Sequence, residues 1–596
     1  MKEPASVYQT LEHQYSQDYQ KLQKQSNLLS ALRLFFIIAF FVLFYYWLKT
    51  SLMAYVWVFS VCIAAFVALV IYYLKIAFKK RIKSHLVEIN KKEYDYLTNN
   101  KLHFNNGTEY INPKHPYSYD LDIFGEKSLF HHINRTVTYV GGKTLASALC
   151  KRLNMEEIQT VQQAVQELKE KLNWRQRFAA LAHEVNDSRQ THEDILKWAG
   201  EKPLMLSKIV RIACYVLPVL FIVSLVLAIA TKDPLFRYMC EMLFVANLVL
   251  TSSQVGKIKK QLVNATRIDR IIKNYGLLLA EIENEHFESE QLSEWQQRLK
   301  LHDTYASKHF KKLSYLFGQL ENIQNLLVSV LLNGLMLYHL HMYKKLTAWK
   351  IQLADNIALW VETIGEFEST SSVANFSYNN PSFAYPSLNK NFDIAFEDMG
   401  HPLIGATKRV TNSVNFVQHP FIILTGSNMS GKSTFLRSLG VNMVLAGMGA
   451  PVCASSAKVH PLDVWVSMRL SDSLSDNESY FFAEIKRLRE IIDATNAGSC
   501  FVLLDEILRG TNSDDKRTGT VEMIKNMAQA DVFGAIATHD LEVCHIVPQF
   551  SSKLTNKCFE ADIYDNELHF DYRLREGVCK NKNATFLMKK MGIIKS

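Results

Sequence analysis

The sequence predicts an α + α/β fold in three parts: an N-terminal transmembrane helical hairpin, a segment of long helices, and a C-terminal α/β domain. Two long apolar runs without charge lie close together near the N-terminus. No proline occurs between Pro234 and Pro381, in a segment rich in Leu, Lys, Glu and Gln, which favours helices. Further on, short β-branched runs alternate with helical segments, which is typical of α/β domains. We therefore expect domains at 1–117, 118–392 and 393–596.

The composition is that of a largely globular chain. Hydrophobic residues make up 48% and charged residues 21% of its 596 residues. The net charge of +9 is modest for this length, so it permits contact with nucleic acid or anionic lipid without requiring either. Nine cysteines are scattered without a CxxC pair, which favours reduced thiols on the cytosolic side over a disulfide framework or a zinc site. The polar N-terminal segment does not resemble a cleavable signal peptide.

The first apolar pair, residues 34–48 and 52–74, contains no charged side chain. The second run is long enough to span a bilayer, and the first reaches that length with its flanks. The basic cluster from Lys75 to Lys92 should stay in the cytoplasm, so both ends of this hairpin should face the cytosol. The alternative is a buried helical hairpin in a soluble core. The cluster itself is explained by topology and lipid headgroups more readily than by DNA.

A second, weaker candidate hairpin covers residues 212–231 and 238–256. Pro218 lies inside its first run, and its second run contains several polar residues. Basic residues flank the pair on both sides, which again suits a membrane hairpin with cytosolic ends. The alternative is a pair of core helices.

Two further segments complete the helical part. The apolar stretch 326–340 is short and carries Asn333 and His339, so we expect a packed helix of a soluble domain. The segment 366–392 is polar and contains Asn-Pro and Tyr-Pro turn signals, so it should end the helical part.

A phosphate-binding motif follows the short apolar run Phe421–Leu424, which is predicted to be a buried strand. The motif fits GxxxxGK[ST], and a helix should begin within it. Its glycines let backbone N–H groups turn toward phosphates, and a helix N-terminus favours negative charge. Lys432 should reach the β- and γ-phosphates of ATP, and the Ser433 hydroxyl should hold Mg²⁺. The predicted ATP-binding residues are Gly426, Ser427, Asn428, Met429, Ser430, Gly431, Lys432, Ser433 and Thr434.

Two other apolar strands end in polar residues. The run Ser499–Leu504 leads to Asp505, which should hold Mg²⁺, and Glu506, which should orient or deprotonate the attacking water. The run Val532–Ala537 leads to His539, which should sense the γ-phosphate or hold the water; a structural histidine is the alternative. We therefore predict an ATPase whose catalytic residues are Glu506, Lys432 and His539. Positive charge for the transition state could come from Arg469, Arg487 or Arg509, locally or across an interface.

These motifs resemble the MutS family of DNA mismatch-repair ATPases. Thr425–Thr434 is similar to that family's TGPNMGGKST, Asp505–Thr511 to DEIGRGT, and Ala537–His539 to ATH. Ser479–Glu484 resembles the STFMxE signature that a partner subunit presents to bound ATP. Gly400–Leu403 resembles the segment that opens the family's ATPase domain.

The resemblance extends upstream, where Leu121–Phe130 and Asn134–Leu145 are similar to the start of the family's helical core and lever domain. In all it covers roughly 118–208 and 310–596. It implies a homodimer in which Ser479 of one subunit closes the ATP site of the other, with double-stranded or branched DNA as partner.

The sequence departs from the family at two places that affect function. Residues 1–117, where the family's mismatch-reading domain lies, are occupied by the first hairpin and its flanks, and the second hairpin shares the region of the family's DNA clamp. In the motifs themselves, Leu508 replaces a glycine and Tyr480 a threonine.

Two functions therefore stay open. The first is a membrane-anchored MutS-like ATPase, with its ATPase domain in the cytoplasm, that switches its lever helices on DNA. The second is a membrane-associated signalling or scaffold protein that uses ATP without DNA. A transporter ATPase is less favoured, since no LSGGQ motif precedes Asp505. The tail should form a β-hairpin from Phe559 to Arg575 around Asp565-Asn566, and then a short helix from Lys582 to Met591, which in this family supports the dimer.

Overall fold

The computed structural model describes residues 3–261, 265–469, 480–564, 567–580 and 593–594. Three sequence predictions lie outside the described residues: the signature position Ser479, the turn Asp565-Asn566 and the helix Lys582–Met591.

The first hairpin consists of two antiparallel helices, α1 (Pro4–Thr50) and α2 (Met53–Asn99). Each has 47 residues and is therefore about 70 Å long, far longer than the predicted runs 34–48 and 52–74. The halves near the turn expose large apolar side chains, such as Trp57 at 76%. By length and composition alone, both helices could cross a membrane.

The other end of this hairpin is fastened to the rest of the chain by a buried polar network. The Tyr8 hydroxyl donates to Asn375 Oδ1 at 3.1 Å and Asn379 Oδ1 at 2.9 Å. The side-chain amides of the same two asparagines donate to the Glu93 carboxylate at 2.9 and 3.0 Å. Arg135 also donates to Glu93. Because every partner is buried or half-buried, water competes little with these bonds, and the hairpin base is held firmly.

Short and long helices follow the hairpin, together with one small two-stranded sheet. They are α3 (Leu129–Ile133), α4 (Tyr139–Leu149), α5 (Met155–Glu170), α6 (Leu172–Ala182), α7 (Arg189–Gly200), α8 (Lys208–Thr231), α9 (Pro234–Gln261), α10 (Ala265–Glu283), α11 (Glu290–Arg298), β1 (Lys300–Leu301), β2 (Thr304–Tyr305), α12 (Ala306–Glu321), α13 (Leu326–Met336), α14 (Tyr338–Leu353) and α15 (Asn356–Asn379). Helices α8 and α9 form the second hairpin, with its turn at Lys232 and Asp233. By length and composition, α8 and residues Pro234–Lys259 of α9 could also cross a membrane.

The stretch 326–340 does not form a single packed helix, as the sequence suggested. It is divided at Leu337, where the backbone turns left-handed (φ +50°), and α13 and α14 meet at an angle of 84°. Several leucines of α13 are exposed, whereas Asn333 and His339 are buried. The prediction assumed that the apolar side chains would be covered by protein.

The expectation that the polar segment 366–392 ends the helical part was correct only in its second half. Helix α15 continues to Asn379, and Pro381 follows two residues later. Many of its polar side chains point inward. Asn375 and Asn379 bond to Glu93 on α2, and Glu368 accepts from Thr138 at the start of α4, contacts that the sequence pattern could not reveal. Buried polar residues of this segment are Glu368, Ser369, Thr370, Ser372, Asn375, Ser377 and Asn379.

The C-terminal part contains two sheets. Their elements are β3 (Ser387–Leu388), β4 (Ala395–Met399), β5 (Asn412–Asn415), β6 (Phe421–Gly426), α16 (Lys432–Gly447), β7 (Ser456–Val459), β8 (Asp463–Ser467), α17 (Tyr480–Ala497), β9 (Cys500–Asp505), α18 (Ser513–Gln529), β10 (Val532–Ala537), β11 (Leu554–Tyr564) and β12 (Glu567–Glu576). The larger sheet has the order β12-β11-β6-β10-β9-β8 and is parallel except for β12, which pairs antiparallel with β11. The smaller sheet has the order β3-β7-β4-β5. Its strand β3 lies before residue 393, the expected start of the C-terminal domain.

Gly534 allows the central strands of the larger sheet to approach closely. Its φ is +139°, and a Cβ at this position would lie 1.9 Å from the carbonyl oxygen of Val502 on β9. We expect Gly534→Ala to lower the free energy of unfolding by roughly 2–5 kcal/mol, since backbone strain and overpacking add. Gly498→Ala is the matched control, because nothing lies within 4 Å of its added methyl group. Thermal unfolding of both full-length variants checks this; equal melting temperatures would contradict the pairing of β10 with β9.

Candidate active site

Three neighbouring parallel strands bring the sequence motifs to one edge of the larger sheet. Strand β10 lies between β6 and β9, and Ala537 is in register with both Leu424 and Asp505. The carboxyl ends of parallel strands meet at the same edge, where ligands bind in open α/β sheets. The 426–433 loop, the acid pair 505–506 and His539 therefore lie side by side.

The 426–433 loop turns sharply between β6 and α16. Gly431 has φ +105° directly before α16, and a Cβ there would lie 3.1 Å from the Tyr572 ring. The Lys432 ammonium is buried and donates to the carbonyl oxygens of Gly426 at 2.8 Å and Ser427 at 3.0 Å. Burial lowers the pKa of Lys432. The hydroxyl of Ser430 is buried and has no hydrogen-bond partner among the described residues.

Glu506 and His539 form a close pair beside Lys432. His539 Nε2 lies 2.6 Å from Glu506 Oε1 and 3.3 Å from Lys432 Nζ. The hydrogen bond from His539 holds the pKa of Glu506 down at about 2, with further help from the charges of Arg509 and Lys432. Glu506 is therefore ionised and can only accept, so Nε2 of His539 carries the proton that it donates to the carboxylate. The cluster presents one ammonium and one oriented carboxylate at the strand ends.

Asp505 has the environment of a metal ligand. The residue is 7% exposed, and its Oδ1 has no hydrogen-bond partner among the described residues. The hydroxyl of Ser433, in the first turn of α16, lines the adjoining cavity. Carboxylate and hydroxyl oxygens suit Mg²⁺, which keeps most of its coordination for water and phosphate. The residues present thus fit Mg²⁺. Within the described ranges, no cluster of three His, Cys, Asp or Glu side chains forms a separate metal cage.

A cavity of about 420 Å³ opens next to the 426–433 loop, a size within the range of small-molecule sites. Its floor is formed by residues 428–435, and Glu506, Phe559 and Tyr572 close other sides. Another wall is formed by the end of β4, the start of β5 and the segment between them; it consists of Met399, His401, Ile404, Lys408, Val410 and Asn412. Burial lowers the pKa of His401 to about 4, and the nearby arginines Arg437 and Arg409 add to this, so the ring is neutral at pH 7.

The sequence predicted only part of this wall of the cavity. Gly400–Leu403 was noted as a resemblance, whereas Asn412 and Tyr572 had no signal. The Asn412 side chain donates to the carbonyl oxygen of Tyr572 at 3.0 Å and accepts from the N–H of Leu574 at 2.8 Å. This pairing of distant segments places the Tyr572 ring against Gly431. The alternation in β11 and β12 predicted their hairpin, which is confirmed, but not what it covers.

The signature segment is represented by α17, while Ser479 itself lies outside the described residues. Glu484 Oε1 accepts from the backbone N–H of Leu508 at 2.7 Å. Leu508 has φ +60° at the position where the resembling motif has glycine. The start of α17 is thereby tied to the backbone two residues after Glu506.

The three arginines fall into two groups. Arg469 donates to Asp122 Oδ2 at 2.5 Å, and Arg487 donates to the carbonyl oxygen of His115 at 3.0 Å. Both therefore fasten the segment before α3 to the C-terminal part. Arg509 stays beside the site, with its Nε 3.5 Å from Glu506 Oε2. The sequence could not show which arginine lies at the site, because the partners of Arg469 and Arg487 are in the 115–122 segment, far away in the chain.

Asp122 connects the candidate site to the helical part. Its carboxylate accepts from Arg469 and also from Arg437 on α16 at 3.1 Å. Leu121 packs against Gly440 on the same helix, where an added Cβ would lie 2.6 Å from its methyl group. The helix that begins at the 426–433 loop is thus in direct contact with Leu121 and Asp122.

Comparison with known proteins gives one family match. Residues 422–593 match the family model described as MutS domain V. This range contains the 426–433 loop, Asp505, Glu506 and His539.

Individual relatives agree with this match. A DNA mismatch repair protein MutS from Methanococcoides burtonii is 32% identical over 192 residues, which are 31% of this chain and 21% of the relative. The same protein from Streptococcus mutans is 28% identical over 254 residues, 41% of this chain and 29% of the relative. A MutS protein homolog 4 from Homo sapiens is 29% identical over 202 residues, 32% of this chain and 21% of the relative. The chain thus matches between a fifth and about three tenths of the length of these proteins.

Proposed function

We propose that this chain, whose residues 422–593 match MutS domain V, is a membrane-anchored MutS-family ATPase that binds and hydrolyses ATP in a site closed by a second subunit. The observation that carries this proposal is the cluster of Lys432, Glu506 and His539 at the edge of the cavity beside the 426–433 loop. Domain boundaries near residues 117 and 392 are part of the proposal.

The chemistry follows from the groups at this edge. Backbone N–H groups of the 426–433 loop and the start of α16 would bind the phosphates, and the Lys432 ammonium would exchange carbonyl oxygens for phosphate oxygens. The Glu506 carboxylate, oriented by His539, would hold the attacking water and accept its proton. Ser433 and Asp505 would hold Mg²⁺, which neutralises charge on the phosphates. Little covalent help is needed, because phosphoryl transfer depends mainly on position and charge.

A homodimer would complete the site. Met429, which lines the cavity, is 82% exposed, so an apolar side chain lies at the open side of the site. Exposed apolar side chains beside a site favour a protein partner over water. Ser479 of the second subunit is proposed to close the site there.

Two contacts would carry a change at the site to the helices. Asp122 joins α16 to the 117–124 segment, and the Tyr8, Glu93 and Asn375 network joins α15 to the first hairpin. We propose that ATP-dependent movement of α16 reaches the helical part through Asp122. The two hairpins, 34–74 and 208–259, would anchor the protein in a cytoplasmic membrane with the ATPase domain in the cytoplasm.

Double-stranded or branched DNA is the first candidate partner, because the relatives are named for DNA mismatch repair. The test is the ATPase rate of the full-length protein in vesicles, with homoduplex, mismatched and four-way-junction DNA at two salt concentrations. A DNA partner should change the rate, and its binding should weaken with salt. A rate that every DNA leaves unchanged, with binding no stronger than non-specific, would exclude the DNA role.

The second candidate is an ATP-driven signalling or scaffold protein without DNA, which the long hairpin fastened to α15 favours. In that case the basal rate should depend on insertion into vesicles and not on DNA. The Lys432→Ala variant serves as the negative control in both experiments, at an ATP concentration too low to saturate it, since its ATP affinity should fall by about 100-fold or more.

A further inference from the structure

Helix α13 has its polar and apolar sides reversed relative to a helix that faces water. Leu326 and Leu327 are each 76% exposed and Leu331 is 57% exposed, whereas Asn333 on the same helix is 1% exposed. Within the bundle, His339 and Asn247 are fully buried as well. Polar side chains that face the bundle interior, with apolar ones outside, are typical of helices in lipid.

The buried side of α13 packs tightly against the second hairpin. A Cβ at Gly334 would lie 2.1 Å from the Phe244 ring of α9, so the two helices approach as closely as glycine allows. The Asn247 side chain donates to the carbonyl oxygen of Gly334 at 2.8 Å. Close packing at small residues and an interhelical hydrogen bond are the usual contacts between membrane helices.

The hairpin against which α13 packs also exposes apolar side chains. On α8, Ile222 is 50% exposed and Ile229 is 71% exposed, and on α9 Val245 is 57% exposed. From Asn322 to Tyr343 the sequence contains no Asp, Glu, Lys or Arg. Charge returns at Lys344, whose ammonium lies 4.4 Å from the centre of the Tyr215 ring. A tyrosine beside a lysine is a common arrangement at the boundary between lipid and water.

We infer that the outer face of α13, formed by Leu326, Leu327 and Leu331, contacts the acyl chains of the bilayer beside the second hairpin. The chain would then have a third membrane contact, supplied by a short helix that is bent away from α14 and does not cross. This inference rests on the proposed membrane anchoring. A second copy of the chain could also cover this face. Lipid fits better, because the face has no charged or polar side chain and α13 packs against a hairpin that itself exposes apolar side chains.

The test uses single cysteines that carry an environment-sensitive fluorophore in the full-length protein. The half-buried thiols Cys150 and Cys240 are first changed to serine to limit background labelling. Leu331→Cys probes α13, Ile222→Cys probes the hairpin, and Val417→Cys in the C-terminal part is the control with comparable exposure, 51%. Each protein is reconstituted in phosphatidylcholine vesicles with and without doxyl-labelled lipid, which quenches only by contact.

We expect the doxyl lipid to quench most of the fluorescence at 331 and 222 and almost none at 417. Quenching at 222 without quenching at 331 would overturn the inference and leave the membrane anchoring intact. A blue-shifted emission at 331 that doxyl lipid does not quench would mean that protein covers this face, and would also overturn it. If neither site is quenched, both the anchoring and the inference fail. The same label at Leu327 repeats the measurement should Leu331→Cys fold poorly.

Discussion

Lys432→Ala is expected to weaken ATP binding by about 100-fold or more. The ammonium is buried and forms short hydrogen bonds to two carbonyl oxygens, so it is already oriented at the loop when phosphate arrives. Each hydrogen bond to a charged group contributes roughly 1.5–3 kcal/mol, and every 1.4 kcal/mol is a factor of about ten in affinity. Two lost bonds to phosphate therefore account for the predicted loss. Titration calorimetry with ATP measures it.

A matched control separates this effect from general damage. Lys557 lies on the adjacent strand β11, its side chain is 14% exposed, and it pairs with Glu576 away from the cavity. Lys557→Ala should therefore retain ATP affinity within a few-fold. Thermal unfolding without nucleotide shows whether either variant is damaged. ATP affinity that survives Lys432→Ala in a folded protein would remove the assignment of the site.

The sequence was most informative where structure is set locally. A strand, a glycine-containing loop and a helix N-terminus follow each other at residues 421–447, so the local sequence was sufficient to predict the loop. The strand before Asp505 is fully buried along its length, and the sequence run of apolar residues predicts this directly. Roles for these residues in ATP hydrolysis stay predictions until the variants are measured.

Contacts between remote segments were beyond the sequence pattern. The sequence named Arg469 and Arg487 as possible sources of positive charge for the transition state. In the structure their partners lie more than 300 residues earlier, in the 115–122 segment. The polar side chains near Asn375 predicted an end to the helices. Nothing in the sequence shows that Tyr8 and Glu93 form hydrogen bonds with Asn375. Helix α13 differs from its prediction for another reason: the sequence predicted a packed helix, but Leu326, Leu327 and Leu331 are exposed in the structure.

Glu506→Gln is expected to reduce ATP turnover by about 100-fold or more, since general-base catalysis contributes roughly 10²–10⁴-fold. Glutamine keeps the size of the side chain and can still accept the bond from His539, so ATP affinity should change little. The protein should therefore accumulate with ATP bound. Single-turnover kinetics and a nucleotide-binding isotherm measure the two effects separately. A variant that hydrolyses ATP at the rate of the unchanged protein would exclude Glu506 as the base.

Glu542 supplies the matched control for this substitution. It also lies near a histidine, with 3.8 Å between its carboxylate and His545, but both side chains are largely exposed and outside the cavity. Glu542→Gln should leave binding and turnover unchanged.

The pH dependence tests the role assigned to His539. Because its hydrogen bond holds the pKa of Glu506 at about 2, the carboxylate stays ionised at every pH at which the protein is assayed. The same depression adds stability above pH 4.5, the ordinary value for glutamate, and that stability is lost as the pH falls from 4.5 toward 2. In His539→Ala the pKa of Glu506 should move back toward 4.5, so stability at neutral pH falls and this acid dependence shrinks. An acid unfolding profile with unchanged slope in His539→Ala would show that another group holds Glu506 ionised.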